Sequence, residues 1–62
     1  MTRTQIITRL ESLGFCWLDD ENGITVGKDG WEKTYDWSDV STERIVDDYM
    51  AFEWDRYLQA SS

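Results

Sequence analysis

The clearest pattern along the chain is a strict alternation in which Trp31, Lys33, Tyr35 and Trp37 point one way and Glu32, Thr34 and Asp36 the other. One side of that strand is aromatic and the other acidic. Upstream stand two dipeptides, Asn22-Gly23 and Asp29-Gly30, that tolerate positive φ at both central positions of a type I′ turn, so each predicts a hairpin. Closing Asn22-Gly23 as a two-residue loop pairs Glu21 with Ile24, Asp19 with Val26 and Trp17 with Lys28. Closing Asp29-Gly30 pairs Lys28 with Trp31, Val26 with Lys33 and Ile24 with Tyr35. Both registers put Phe15, Trp17, Ile24, Val26, Trp31, Tyr35 and Trp37 on one inner face, and that agreement argues for a three-stranded antiparallel meander. The first strand starts at Phe15-Cys16-Trp17-Leu18. The outer face is expected to carry Asp20, Thr25, Glu32, Thr34 and Asp36, with Cys16 and Leu18 at one edge.

Helical periodicity flanks the sheet on both sides. Thr2 and Gln5 fit a capping box, Met1 and Ile6 a hydrophobic staple, and Ile6, Ile7, Leu10 and Leu13 share one face. Gly14 stands where a left-handed C-cap belongs, and Phe15 can close back on Leu10, so a first helix covers residues 3–13. A second starts behind Ser41 as N-cap, with Glu43 favoured by the helix dipole and Val40 and Ile45 at staple spacing, and runs to about residue 59. The expected fold is α+β in the order α-β-β-β-α, the meander packed on two helices. With no proline and no low-complexity segment, the whole of 1–62 reads as a single domain.

The second helix holds more apolar surface than one sheet can cover. Ile45, Val46, Tyr49, Met50, Phe52, Trp54, Tyr57 and Leu58 spread over roughly 240° of the wheel, leaving Arg44, Asp48, Ala51, Asp55 and Gln59 as the polar strip. Two expectations follow: either the sheet and the first helix both pack on it, or Phe52, Ile45 or the pair Trp54 and Leu58 lies at a protein interface. Glu53 falls inside the apolar arc and Lys33 inside the aromatic strand face, so the two are expected to meet as a partly buried pair.

Composition narrows the chemistry. A chain of 62 residues is near the lower limit for folding alone, and its nine aromatic residues, four of them Trp, are the means of filling a small core. One cysteine, Cys16, rules out an internal disulfide and is expected to be a packing residue; the absence of His removes the usual zinc ligands and the commonest general base. These features point to a reducing, cytoplasmic setting. No run approaches the ~20 apolar residues of a membrane span, and no signal peptide is recognisable. The acidic Asp19-Asp20-Glu21 run invites a calcium reading, but with Gly23 or Gly30 at the sixth loop position the first ligand would be Leu18 or Thr25, so the EF-hand fails. A 62-residue domain has little room for the cleft that paired catalytic carboxylates need. The chain therefore reads as no enzyme, with no cofactor and no metal.

Charge is the informative quantity that remains. Six basic and 13 acidic residues give a net charge of −7, unevenly placed: up to Leu18 the chain is net positive, and the acid belongs to the sheet and the second helix. Such a field repels nucleic acid and anionic membrane and favours a basic protein surface, of the kind found on nucleic-acid-binding proteins and nuclease complexes. The expected function is an inhibitor that occupies such a surface through carboxylates arranged like a row of phosphates, using Asp20, Glu32 and Asp36 on the sheet and Glu43, Asp47, Asp48, Phe52 and Asp55 on the helix. In being tiny, acidic, aromatic-rich and without catalytic groups, the chain resembles phage and mobile-element inhibitors, the anti-CRISPR and anti-restriction proteins. The resemblance is one of type, carries no motif and transfers no residue; antitoxins and small regulatory subunits share it. Two further readings stand beside it: a homodimer or other homo-oligomeric subunit joined through the apolar strip of the second helix, and a carbohydrate or peptide binder stacking on Trp31, Tyr35 and Trp37.

Overall fold

The computed structural model describes residues 2–61 and has the order α1 (Arg3–Ser12), β1 (Cys16–Asp19), β2 (Gly23–Lys28), β3 (Trp31–Asp36) and α2 (Thr42–Ser61). The strands form one antiparallel meander, β1-β2-β3, so the expected α-β-β-β-α architecture of the α+β class is present. Ile6 and Leu10 from α1, Phe15, Ile24, Val26 and Tyr35 from the sheet side, and Ile45 from α2 form the buried core. Ile7, Trp31, Trp37, Val40, Val46 and Tyr49 pack around it.

Both helix starts follow their sequence signals. Thr2 Oγ1 accepts from the Gln5 amide at 3.2 Å while Gln5 Oε1 accepts from the Thr2 amide at 2.9 Å, the reciprocal capping box. Met1, expected to staple Ile6, lies outside the described residues. Ser41 Oγ caps α2 by accepting from the Arg44 amide at 3.1 Å. At the other end of α1, Gly14 (φ +88°) lets the Phe15 amide reach Leu10 O at 3.0 Å and the Gly14 amide reach Glu11 O at 3.1 Å. That is a Schellman ending, and it swings Phe15 onto the core beside Leu10.

The two hairpins differ in how their turns are made. Asp29 (φ +51°) and Gly30 (φ +87°) form the expected type I′ turn, and β2 and β3 pair as Lys28 with Trp31, Val26 with Lys33 and Ile24 with Tyr35. The first hairpin departs from expectation. Its register is Asp19 with Ile24, Trp17 with Val26 and Cys16 with Gly27, two residues away from that of an Asn22-Gly23 turn. Asp20 causes the slide: its Oδ1 accepts from the amides of Asn22 (2.8 Å) and Gly23 (2.9 Å), and its own amide donates to Gly23 O (2.9 Å). Glu21 and Asn22 thereby become the centre of the turn. A slide of two leaves every side chain on its expected face, because the strand period is two.

Gly23 is needed for space and not for positive φ. A Cβ there would lie 2.2 Å from the backbone oxygen of Tyr35, whereas at Gly27 the nearest atom, Trp31 O, is 3.2 Å away. Gly23→Ala is therefore expected to lower stability by about 2 kcal/mol, and Gly27→Ala clearly less, in paired urea melts. Equal losses at the two sites would show that the close approach of β3 to Gly23 is wrong.

Candidate functional site

Three of the six basic side chains donate to the main chain of another element. Arg3 Nη2 donates to Glu21 O at 3.2 Å, Lys28 Nζ to Leu13 O at 2.8 Å, and Arg56 Nη1 to Asp29 O at 3.2 Å. All three acceptors are main-chain carbonyls at a turn or helix end. Arg3 also lies 4.9 Å from the Trp37 ring centre, and Lys28 lies 5.2 and 5.4 Å from the rings of Phe15 and Tyr49. Among the described residues, ion pairs join only Arg9 to Glu43 (3.7 Å) and Lys33 to Asp48 (3.0 Å). Two of the 13 acids are thus paired with a cation, and among the described residues the other acids have no ion-pair partner.

The sequence-predicted site residues fall on separate surfaces. Asp20, Glu32 and Asp36 lie on the outer face of the sheet, which no helix covers, alongside the central pair Thr25 and Thr34, whose hydroxyls are 2.9 Å apart. Asp20 and Asp36 flank Gly23, about 10 Å apart by two strand spacings, with no side chain between them. Each is held by one oxygen only. Asp20 Oδ1 takes the two turn amides, and Asp36 Oδ1 accepts from the amide and the hydroxyl of Ser38, both at 2.9 Å, which leaves each Oδ2 uncommitted. These hydrogen bonds hold both carboxyls below the usual aspartate range. Glu32 stands at the far end of the same face, across Gly27 from Cys16.

On α2 the expected residues divide again. Glu43 sits near α1, in its exposed pair with Arg9. Asp47 and Asp55 lie on the helix surface; Asp47 lines a groove with Met50, Ala51, Glu53, Trp54 and Tyr57, and Asp55 accepts from Gln59 at 3.1 Å. Phe52 is half-buried.

Asp48 serves the interior. Its Oδ2 accepts from the Tyr35 hydroxyl at 2.6 Å and from Lys33 Nζ at 3.0 Å, fastening α2 to β3. The Tyr35 hydrogen bond, then that from Lys33, holds the Asp48 carboxyl below its ordinary range; burial, then Asp48, pushes the Tyr35 phenol up. Lys33 therefore pairs with Asp48 and not with Glu53, the partner that the helix wheel suggests. Glu53 meets Tyr49 instead, whose hydroxyl is shared between Glu53 Oε1 and Asp29 Oδ2 (2.7 Å). Those two carboxylates, Glu53 first, raise the Tyr49 phenol.

Two other expectations are corrected. Cys16 is exposed on the outer sheet face, since no helix covers that side of the edge strand, and it is not a packing residue. Ile45 is fully buried, so it is not part of any surface. Trp31, Tyr35 and Trp37 pack with the core cluster, as their place on the inner face predicts, and Phe15, Trp31 and Tyr49 meet edge to face at centroid distances of 5.4 to 6.2 Å. Trp54 and Leu58, named together as a candidate interface pair, are exposed, and Met50 and Tyr57 join them in a second apolar stripe on α2, turned away from the core. The same spacing of three and four residues that pairs Trp54 with Leu58 is the signal that adds Met50 and Tyr57.

Among the described residues no group of three or more acidic or cysteine side chains is disposed to hold a metal ion, and no helix is long and apolar enough to cross a membrane. Comparison with family models, with curated proteins and with solved structures gives no match.

Asp48 provides a pH test. Its folded pKa is depressed, so its contribution is present above the unfolded value and lost as pH falls through the folded one; Asp20 and Asp36 act in the same direction. Stability should fall on acidification below about pH 4. Asp48→Asn should lower neutral-pH stability by about 1 kcal/mol after allowance for solvent screening, and flatten the acid limb. An unchanged pH profile in urea melts would mean that the Tyr35–Asp48–Lys33 cluster does not hold α2.

Proposed function

We propose that this protein is an inhibitor that docks on a basic surface of another protein and displaces what that surface normally holds, in the manner of anti-CRISPR and anti-restriction proteins. One observation carries the reading: three of the six cations are turned to main-chain carbonyls, and among the described residues most carboxylates have no ion-pair partner. Two oriented carboxylates, Asp20 and Asp36, on an uncovered sheet face give a basic groove fixed points to grip, as preorganised acceptors should. The negative field steers association toward cationic clefts. Because nucleic acid is the usual occupant of such clefts, a nucleic-acid-binding protein or nuclease complex is the favoured partner class.

A second reading, a homo-oligomeric subunit, draws on the outward stripe of α2. Competition separates the two. A basic protein retained on the immobilised chain at low salt should be released by added DNA or RNA, and its own nucleic-acid binding should fall as the chain is titrated in. Retention that resists both excess nucleic acid and roughly 1 M salt would contradict an electrostatic decoy. Asp20→Asn with Asp36→Asn should weaken the complex about tenfold, mainly through slower association.

A further inference from the structure

The α2 helix has two apolar faces. Ile45, Val46 and Tyr49 meet the core, while Met50, Trp54, Tyr57 and Leu58 are 60, 62, 61 and 49% exposed. Steps of three and four residues align the second set along one side of the helix, and Trp54 and Tyr57 stack at 5.6 Å with 21° between their planes. From Trp54 to the end of α2 every residue is exposed, so the last two turns gain nothing from the core. These turns only extend a helix that the core already holds, and a Trp and a Tyr displayed side by side are the residues that anchor interfaces.

Charge decides what covers the stripe. Asp47 and Glu53 line its groove with Met50, Ala51, Trp54 and Tyr57, and no basic side chain does. A second copy laid on this groove would bring carboxylates toward carboxylates, between two chains each of net charge −7. A surface with an apolar strip bordered by Lys or Arg meets both features at once: its strip covers the Trp54–Tyr57 stack, and its cations reach the rim acids. We infer that the outward stripe of α2 is the docking face for a basic amphipathic surface of a partner protein, with Trp54 and Tyr57 as its anchors. This rests on the proposed function in requiring a basic partner, and it adds that the partner offers an apolar strip as well as charge.

Two synthetic probes test it. One is a lysine–leucine peptide with an apolar stripe along a helix of roughly five turns; the other is oligolysine of equal charge. Followed by tryptophan fluorescence and by titration, the protein should bind the lysine–leucine peptide about tenfold tighter than oligolysine, with a blue shift. The Trp54→Ala, Tyr57→Ala double variant should lose that preference and keep its oligolysine binding. Both rings lie outside the core, so the variant's melting temperature should stay close to the parent's, and circular dichroism checks this. A variant that retains the preference, or a parent that binds the two peptides equally, overturns the stripe as anchor and leaves the acidic reading standing. Failure to bind either peptide overturns both. Sedimentation at twice the 7.3 kDa chain mass, lost on Trp54→Ala, would show instead that a second copy covers the stripe.

Discussion

Three cation-to-carbonyl hydrogen bonds connect the parts of this small fold. Arg3 reaches from the start of α1 to Glu21 O in the first turn, Lys28 from the end of β2 to Leu13 O at the end of α1, and Arg56 from α2 to Asp29 O in the second turn. Each bridges two elements, and Lys28 satisfies a carbonyl at a helix end, where the partial negative charge of the helix favours a cation. A core of seven buried side chains is small, and such bridges fix the edges that it cannot reach. Their consequence is electrostatic. With 13 acids to six bases the surface is strongly negative whatever the pairing, and these three cations form no ion pair among the described residues, which leaves more of the acids unpaired.

The resulting molecule has two different outward surfaces. The uncovered sheet face combines a central row of Leu18, Thr25 and Thr34 with acids at its ends, and two of those acids are oriented by their own turns. The far side of α2 is aromatic with an acidic rim. In the proposed function, charge on the first would speed encounter with a basic partner and burial of rings on the second would lengthen the life of the complex. The expected row of carboxylates running from sheet to helix is not continuous. Asp48 is withdrawn to hold Tyr35 and Lys33, and Glu43 faces Arg9.

Most of the fold is legible in the sequence because its signals are local. The capping box at Thr2, the left-handed Gly14, the Asp29-Gly30 turn and the Ser41 cap each act within a few residues, and alternation along β3 sets the inner face without reference to any partner. The first turn misleads because Asn-Gly is a strong signal only where positive φ is what the glycine supplies. In this hairpin the Asp20 side chain captures the turn amides, and Gly23 is required by the proximity of Tyr35 O, a tertiary fact. The same limit applies to the charged residues. A wheel places Lys33 and Glu53 on apolar faces, but it cannot say that Asp48 and not Glu53 stands above Lys33, nor which arc of α2 meets the sheet.

The central claim, that the acids of this chain are left unneutralised by its own cations, is tested most directly by the dependence of thermal stability on sodium chloride at neutral pH. Self-repulsion among unpaired carboxylates is screened by salt, so the melting temperature should rise steadily from about 0.01 M to about 0.5 M, most steeply at the low end. A melting temperature that falls over the same range would mean that attractive ion pairs dominate the surface, and would contradict the picture of a chain whose carboxylates are held free of its own cations.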